Sequence, residues 1–184
     1  GGLGDALFIA GTPGTGKTAI AMEVMRLLRE QQARGGLPEF KLVTLNGMRL
    51  VRPHQAYTEL WMALEGEMLS PKRALSKLEH YFSDRDPNRQ FVVLLVDELD
   101  YMTTPKQTVL YNLFEWPSGV NARLVMMGVA NTMDLPERCP PRISSRITSR
   151  LMFPAYNKNQ LVVILQQRLV EANALAGKQQ QQQL

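Results

Sequence analysis

The stretch GTPGTGKT, residues 11–18, decides the fold and raises the first question about function. It follows an apolar run at residues 7–10 and precedes a segment of helical period, and its spacing is that of the P-loop, Gly-x-x-x-x-Gly-Lys-Thr. A strand before the motif and a helix after it are the context that distinguishes a P-loop from a chance glycine-rich turn. The sequence therefore predicts a nucleotide site at the end of a strand.

Each residue type in this stretch has a physical role. Glycines at positions 11, 14 and 16 permit backbone conformations that other residues avoid, so that successive N–H groups turn inward around phosphate oxygens. The helix that starts near Lys17 adds the positive end of its dipole. We expect Lys17 to reach the β- and γ-phosphates and the hydroxyl of Thr18 to be a ligand of Mg²⁺.

A second motif, VVLLVDE at residues 92–98, places two adjacent carboxylates at the end of a wholly apolar strand. Asp97 is the candidate that binds Mg²⁺ through its water shell, and Glu98 is the candidate that orients and deprotonates the attacking water. A solvated turn is the alternative reading of adjacent acids, but each motif explains the other once the P-loop is present. Asp100, two residues further on, is interpreted as a cap of the next segment.

The next apolar run, residues 124–130, ends in Asn131 and Thr132. An amide at this position could hydrogen-bond the γ-phosphate or the attacking water. Asparagine after a strand is also a common turn former. Position alone does not decide between these two interpretations of Asn131.

Arginines cluster near a further possible strand at residues 150–153. Arg146 follows two serines at positions 144 and 145, and Arg138, Arg142 and Arg150 lie nearby in the sequence. The planar charge of such an arginine could stabilise the transition state at the γ-phosphate of a neighbouring subunit. Arg146 is the first candidate and Arg142 or Arg150 the second, while a solvated surface position is the alternative for all of them.

Composition indicates one globular domain of ordinary size. The chain has 184 residues, of which 45% are hydrophobic and 21% are charged. The net charge of +4 permits contact with nucleic acid without requiring it, because no dense block of Lys and Arg occurs. The lone Cys139 excludes an internal disulfide and a cysteine-based zinc site. Without an apolar run of about 18 residues or a signal peptide, we expect the cytosol or the nucleus and no membrane partner.

Apolar runs and helical periods alternate along the chain. Doubly buried strands are predicted at residues 7–10, 40–45, 91–96 and 124–130, with a weaker candidate at 150–153. Helices are predicted between them, one of which starts at Thr104-Pro105, and a last helix follows Asn157. Alternation of this kind indicates a parallel sheet covered on both faces, whose ligands bind at the carboxyl ends of the strands.

Two sets of motifs carry a resemblance to a known family. GTPGTGKT, VVLLVDELD, Asn131 at its strand end and Ser-Ser-Arg at 144–146 resemble the AAA+ ATPases. Longer stretches resemble the initiator AAA+ ATPases that form the largest subunit of the eukaryotic origin recognition complex, over about residues 7–169. These stretches are NGMRL at residues 46–50 with PHQAY at 53–57, YNLFEWP at 111–117 and ANTMDLPER at 130–138.

The resemblance implies a fold and a division of the chain. The expected fold is an α/β RecA-like P-loop core of three layers, α/β/α, with a parallel sheet in the order 5-1-4-3-2 over residues 1–156. Residues 157–178 are expected to form the first helix of a lid domain that is otherwise largely absent. Residues 179–184 are expected to be a disordered glutamine-rich tail.

The resemblance also implies the site residues, with ATP and Mg²⁺ as the cofactors. The metal site would include Thr18, Asp97 and Glu98, and the catalytic residues would be Glu98, Asn131 and Arg146. The nucleotide would be bound by Gly11, Thr12, Pro13, Gly14, Thr15, Gly16, Lys17, Thr18 and Ala19, together with Glu98 and Asn131. A neighbouring subunit would complete the site with its own arginine.

The partners implied by the resemblance are the other subunits of the origin recognition complex, a helicase-loading ATPase and double-stranded origin DNA in the nucleus. Three alternatives stay open. The chain could belong to the related initiator ATPase that loads the helicase, or to a clamp-loading or remodelling AAA+ motor that hydrolyses ATP continuously. It could also be a binding module whose nucleotide is purely structural.

Overall fold

A parallel sheet organises the chain. The computed structural model describes residues 4–147 and 149–181, with side chains as far as residue 170. Within these residues the strands are β1 (Asp5–Gly11), β2 (Phe40–Asn46), β3 (Phe91–Asp97), β4 (Leu124–Ala130) and β5 (Ser149–Phe153). All neighbouring pairs are parallel and the spatial order is β2-β3-β4-β1-β5. This is the predicted order 5-1-4-3-2 counted from the opposite edge, so the predicted topology is confirmed.

Helices cover this sheet on both faces. The helices of the sheet unit are α1 (Lys17–Ala33), α2 (Gln55–Glu65), α3 (Pro71–Ser83), α4 (Thr108–Glu115), α5 (Leu135–Arg138) and α6 (Pro141–Ser144), and α7 (Lys158–Gln181) follows β5 in the chain. Short 3-10 turns lie at Gly47–Arg49, Leu99–Met102 and Trp116–Ser118. No helix of the described residues is sufficiently long and apolar to span a lipid bilayer.

The strands alternate side chains between two hydrophobic clusters, which explains why their sequences are apolar throughout. On one face, Leu94 packs among residues of α2, α3 and α4. On the other face, Leu95 and Met127 pack against Ala21 and Met25 of α1. The three-layer α/β/α architecture expected from the sequence is therefore confirmed.

The helix predicted to start at Thr104-Pro105 starts later. Residues 104–107 form a turn in which the Gln107 amide donates to the Thr104 carbonyl, and Gln107 has a φ of 51°. A left-handed residue interrupts a right-handed helix, so α4 begins only at Thr108. The Thr104-Pro105 pair therefore marks a turn, and the predicted start of the helix at this pair is wrong.

Two helices have an apolar spacing that predicts one buried face, and both faces are partly exposed. On α1 the spacing predicts that Ile20, Ala21, Val24 and Met25 face inward; Ala21 and Met25 are buried, but Ile20 and Val24 are 47% and 38% exposed. On α7 the spacing predicts that Leu161, Leu165 and Leu169 face inward, but these side chains are 46%, 59% and 64% exposed. Apolar spacing on a helix buries a side chain only where a second element covers that face.

The chain divides into two compact units, Gly1–Phe153 and Pro154–Leu184. In the described part of the second unit, α7 extends to Gln181 and so includes residues 179–181 of the tail that we expected to be disordered. Residues 182–184 of that tail lie outside the described part. The boundary at residue 156 and the assignment of residues 157–178 to a lid stay predictions.

The carboxyl ends of the strands meet at one edge of the sheet. In the parallel register Asn46 lies opposite Asp97, and Ala10 lies opposite Ala130. The P-loop after β1, the acidic pair after β3 and the asparagine after β4 therefore come together, as expected for a ligand site in an open α/β sheet.

At this edge Gly47 lies against the backbone of Glu98, and we expect Gly47→Ala to destabilise the fold. A Cβ atom on Gly47 would lie 2.3 Å from the Glu98 carbonyl oxygen and 3.2 Å from the Tyr101 Cβ. Because a backbone carbonyl cannot withdraw as a flexible side chain does, the free energy of unfolding should fall by about 1–3 kcal/mol. Urea denaturation measures this loss.

Gly36→Ala is the matched control for this prediction, since the nearest atom to its added Cβ is the Gln31 carbonyl oxygen at 3.4 Å. We expect that variant to unfold at nearly the wild-type urea concentration. Equal stability losses in the two variants would contradict the steric explanation.

Candidate functional site

The P-loop needs its glycines for two different physical reasons. Gly14 and Gly16 have φ angles of 80° and 85°, in the left-handed region that favours glycine. Gly11 is required by space, because a Cβ there would lie 2.2 Å from the Phe153 carbonyl oxygen of β5. The loop thus turns tightly at the end of β1, beside β5, before α1 begins at Lys17.

Lys17 is buried within the loop, with 5% of its surface exposed. Its Nζ donates to the carbonyl oxygens of Gly11 and Thr12 at 2.8 and 2.9 Å. Burial lowers the pKa of Lys17, while the nearby carboxylates of Glu98, Asp100 and Asp97 act in the opposite direction. The ammonium group is therefore a desolvated cation beside the acidic end of β3.

Thr18 and Asp97 connect the P-loop to the end of β3. The Thr18 hydroxyl donates to Asp97 Oδ1 at 3.0 Å, and the same carboxylate oxygen accepts from the Glu98 amide at 3.0 Å. Asp97 is only 7% exposed. Hydroxyl and carboxylate oxygens are the ligands that Mg²⁺ prefers, so this pair fits a magnesium ion shared with phosphate groups.

Glu98 and Asn131 are in direct contact. The side-chain amide of Asn131 donates to Glu98 Oε2 at 2.7 Å. Burial raises the pKa of Glu98, the carboxylates of Asp97 and Asp100 raise it further, and Lys17 and the Asn131 hydrogen bond lower it. Glu98 also has a φ of 54°, a left-handed conformation that is uncommon for a non-glycine residue. The geometry holds a carboxylate of increased basicity beside the loop.

The interpretation of Asp100 as a helix cap is wrong. Asp100 lies inside the 3-10 turn Leu99–Met102, and the residue at the cap position of that turn is Glu98. The Asp100 carboxylate accepts hydrogen bonds from the backbone N–H groups of Asn131 at 2.6 Å and Thr132 at 3.3 Å, and also from the Thr132 hydroxyl. Asp100 and Thr132 are neighbours of the site that the sequence pattern did not indicate. The third acid of the DELD stretch was the available signal.

Arg146 has its partners elsewhere in the chain. It forms an ion pair with Glu115, and its guanidinium group lies 5.2 Å from the centre of the Tyr111 ring. Arg142 lies over the same ring, also at 5.2 Å. Arg150, the other alternative, donates to Glu137 at 2.6 Å.

The structure thus brings together most of the predicted site residues. The P-loop residues, Asp97, Glu98 and Asn131 share one edge of the sheet, whereas the contacts of Arg146 are with α4 and α6. Within the loop, Thr12, Pro13 and Ala19 are exposed, and the buried Thr15 hydroxyl donates to the Thr12 carbonyl at 2.8 Å. Chemically, the shared edge offers a cation, a metal ligand pair and a basic carboxylate to a bound phosphate chain.

Two relatives of this chain carry the same name. The chain is 49% identical over 168 residues to origin recognition complex subunit 1 of Schizosaccharomyces pombe, a match that covers 90% of this chain and 24% of the relative. It is 43% identical over 173 residues to the Homo sapiens protein of the same name, covering 93% of this chain and 20% of that protein. The chain therefore spans about a quarter or less of the length of these curated relatives.

Solved structures show the same fold. A structure of the Drosophila origin recognition complex bound to DNA matches with a TM-score of 0.78 at 42% identity, over 86% of this chain and 38% of that chain. The Orc1 protein of Aeropyrum pernix in complex with DNA matches with a TM-score of 0.75 at 25% identity, over 91% and 44% of the two chains.

A family profile decides the broader assignment. The profile described as "ATPase family associated with various cellular activities (AAA)" matches residues 7–155. This range includes most of β1, all of β2 to β5, and the edge of the sheet that carries the P-loop, the acidic pair and Asn131, which we call the nucleotide edge. With the P-loop and the acidic strand end in contact through Thr18 and Asp97, the chain belongs to the AAA family of ATPases.

Proposed function

We propose that this chain is the ATP-binding and ATP-hydrolysing part of an origin recognition complex subunit that takes part in the initiation of DNA replication. The observation that carries the ATPase part is the 3.0 Å hydrogen bond between Thr18 and Asp97. It joins the end of the phosphate loop to the acidic end of β3, residues that are far apart in the sequence.

The proposed chemistry assigns a role to each residue at this edge. Gly11 to Ala19 bind the triphosphate, with Lys17 exchanging its two carbonyl partners for phosphate oxygens. Mg²⁺, when bound, neutralises phosphate charge, and Thr18, Asp97 and Glu98 are the residues that would hold it or its water shell. Glu98 accepts the proton of the attacking water, and Asn131 orients the Glu98 carboxylate. Burial supports the role of Glu98, because a carboxylate of raised pKa is a stronger base.

Arg146 is proposed to act at the γ-phosphate of a neighbouring subunit. Its side chain is 27% exposed, and Tyr111 and Glu115 restrict its conformations. A planar guanidinium group that is held in this way loses little entropy when it binds an anion. By the same logic, a neighbour's arginine would complete the nucleotide site of this chain, and hydrolysis would require that neighbour.

The biological part of the proposal rests on the relatives. These relatives are named as subunits of the origin recognition complex, and two of the similar structures contain DNA. We infer that the chain acts with the other subunits of that complex and with a helicase-loading ATPase, on double-stranded origin DNA in the nucleus. A helicase-loading initiator is the second candidate, but the Cdc6 structure from Pyrobaculum aerophilum is only 19% identical and supports the fold alone.

DNA binding that depends on ATP tests this proposal. The full-length protein, assembled with its partner subunits, should bind double-stranded origin DNA at least about tenfold more tightly with ATP than with ADP at one fixed salt concentration. Fluorescence anisotropy measures both affinities. Equal affinities would contradict a nucleotide switch. Steady ATP turnover by this subunit without partners or DNA would instead indicate a continuous motor.

A further inference from the structure

The turn that follows β4 is held by one carboxylate from the 3-10 turn that follows β3. Asp100 accepts hydrogen bonds from two consecutive backbone amides, those of Asn131 and Thr132, and from the Thr132 hydroxyl. Asp100 is 31 residues away from Asn131 in the sequence, so these bonds connect β3 and β4 beyond the last bonds of the sheet ladder. Three donors on one carboxylate leave this turn little freedom.

The same turn carries the side chain that contacts Glu98. The Asn131 backbone is bound to Asp100 at 2.6 Å, and its side-chain amide donates to Glu98 at 2.7 Å. Glu98 itself lies only two residues before Asp100. Asp100, Asn131 and Glu98 are therefore connected by hydrogen bonds. The Asp100 carboxylate fixes the Asn131 backbone, and the Asn131 side-chain amide in turn fixes the orientation of the Glu98 carboxylate.

We propose that Asp100 is a positioning residue for ATP hydrolysis, which fixes the Asn131–Thr132 backbone so that the Asn131 amide orients Glu98. This inference rests on the proposed function and adds a residue to it. Asp100 acts through Asn131 and does not itself touch the nucleotide.

A carboxylate is required at this position because all three partners are donors. An ionised carboxylate is only an acceptor, whereas an asparagine side chain would present its NH₂ group to one of the two backbone N–H groups. One backbone N–H group would then lose its acceptor, and a partly buried N–H group without a partner destabilises the local conformation. The turn would move, and the Asn131 side-chain amide would no longer hold the Glu98 carboxylate in one orientation.

The test compares Asp100→Asn with wild type in the full-length protein assembled with its partner subunits. In the nucleotide-free state, the backbone N–H groups of Asn131 and Thr132 should exchange hydrogen faster in Asp100→Asn than in wild type. The maximal ATP turnover should fall by about tenfold to a hundredfold, because small misplacements of catalytic groups have effects of that size. The ATP dissociation constant should change by less than about threefold, since the P-loop is intact.

Asp86→Asn is the matched control. Asp86 also accepts from a backbone amide, that of Asn88 at 2.8 Å, but it lies in the loop before β3, outside the nucleotide edge. Its substitution should leave turnover, ATP affinity and exchange at residues 131 and 132 unchanged. Thr132→Val tests the same turn by a smaller change, because it removes one donor, and Thr132→Ser should restore the exchange rates and the turnover.

Unchanged turnover in Asp100→Asn and Thr132→Val would overturn the inference. So would a loss of ATP affinity as large as the loss of turnover, because it would show a general structural role. If Asp100→Asn does not fold, the Thr132 pair decides alone. Failure of the proposed function is a different result: the wild-type assembly would then not hydrolyse ATP, although the exchange rates would still report on the turn.

Discussion

Replacement of Lys17 by alanine is expected to weaken ATP binding by about a hundredfold or more. The Nζ of Lys17 already makes two hydrogen bonds to loop carbonyls, and in the complex it would make charge-assisted bonds to phosphate oxygens. Loss of two such bonds corresponds to about 3 kcal/mol or more, which is roughly a hundredfold in affinity. Titration with a fluorescent ATP analogue, with and without Mg²⁺, measures the change.

Loss of binding must be separated from loss of fold. Burial lowers the pKa of Lys17, so its charged form is disfavoured by the folded protein when no phosphate is present. The hydrogen bonds of Lys17 to the Gly11 and Thr12 carbonyls offset this cost, so we expect nucleotide-free Lys17→Ala to stay folded and to melt in a cooperative transition close to that of wild type. Lys72→Ala, at an exposed position of α3, is the control and should bind ATP normally. If Lys17→Ala bound ATP with wild-type affinity, the result would contradict a nucleotide site at this edge of the sheet.

The strands and the core of the site were predictable because they depend on local sequence. A doubly buried strand needs an unbroken apolar run, and the runs at residues 7–10, 40–45, 91–96 and 124–130 lie within β1 to β4. The contact between Thr18 and Asp97 followed from topology, since parallel strands bring their carboxyl ends to one edge. Two short motifs and one rule of sheet geometry therefore located the site.

The features that were missed depend on what packs against a residue. The start of α4 is set by the left-handed conformation of Gln107, which no proline signal indicates. The exposure of Ile20 and Leu161 is set by whether another element covers their helix face. The partners of Asp100 follow a different strand, β4, and a carboxylate in a short turn has the same local sequence whether it caps that turn or binds the turn after a neighbouring strand.

Arg146 shows the same limit for a site shared between subunits. Its sequence neighbours suggested a role at a phosphate, and the contacts found within the chain are with Glu115 and Tyr111. A residue that acts on a neighbour's nucleotide is expected to lie away from the nucleotide edge of its own chain. The proposed role of Arg146 would therefore become visible only in an assembly of subunits.

Glu98→Gln is expected to lower ATP hydrolysis by about a hundredfold to ten-thousandfold, the usual contribution of a general base. ATP affinity should change by less than about threefold, because glutamine has the same shape, keeps an oxygen for the Asn131 amide and leaves the P-loop unaltered. Single-turnover hydrolysis in the assembled complex measures the first effect, and titration with ATP measures the second. Glu59→Gln, at an exposed position of α2, should retain wild-type values of both.

The same substitution predicts a pH dependence of stability. Burial and the carboxylates of Asp97 and Asp100 raise the pKa of Glu98 in the folded, nucleotide-free protein, so its charged form destabilises the fold at every pH above that raised value. Glu98→Gln should therefore melt at a higher temperature than wild type at neutral pH. As the pH falls through the raised pKa, wild-type Glu98 becomes protonated and the difference in melting temperature should shrink. If the difference in melting temperature did not change with pH and Glu98→Gln hydrolysed ATP as wild type does, Glu98 would be neither a carboxylate of raised pKa nor the general base.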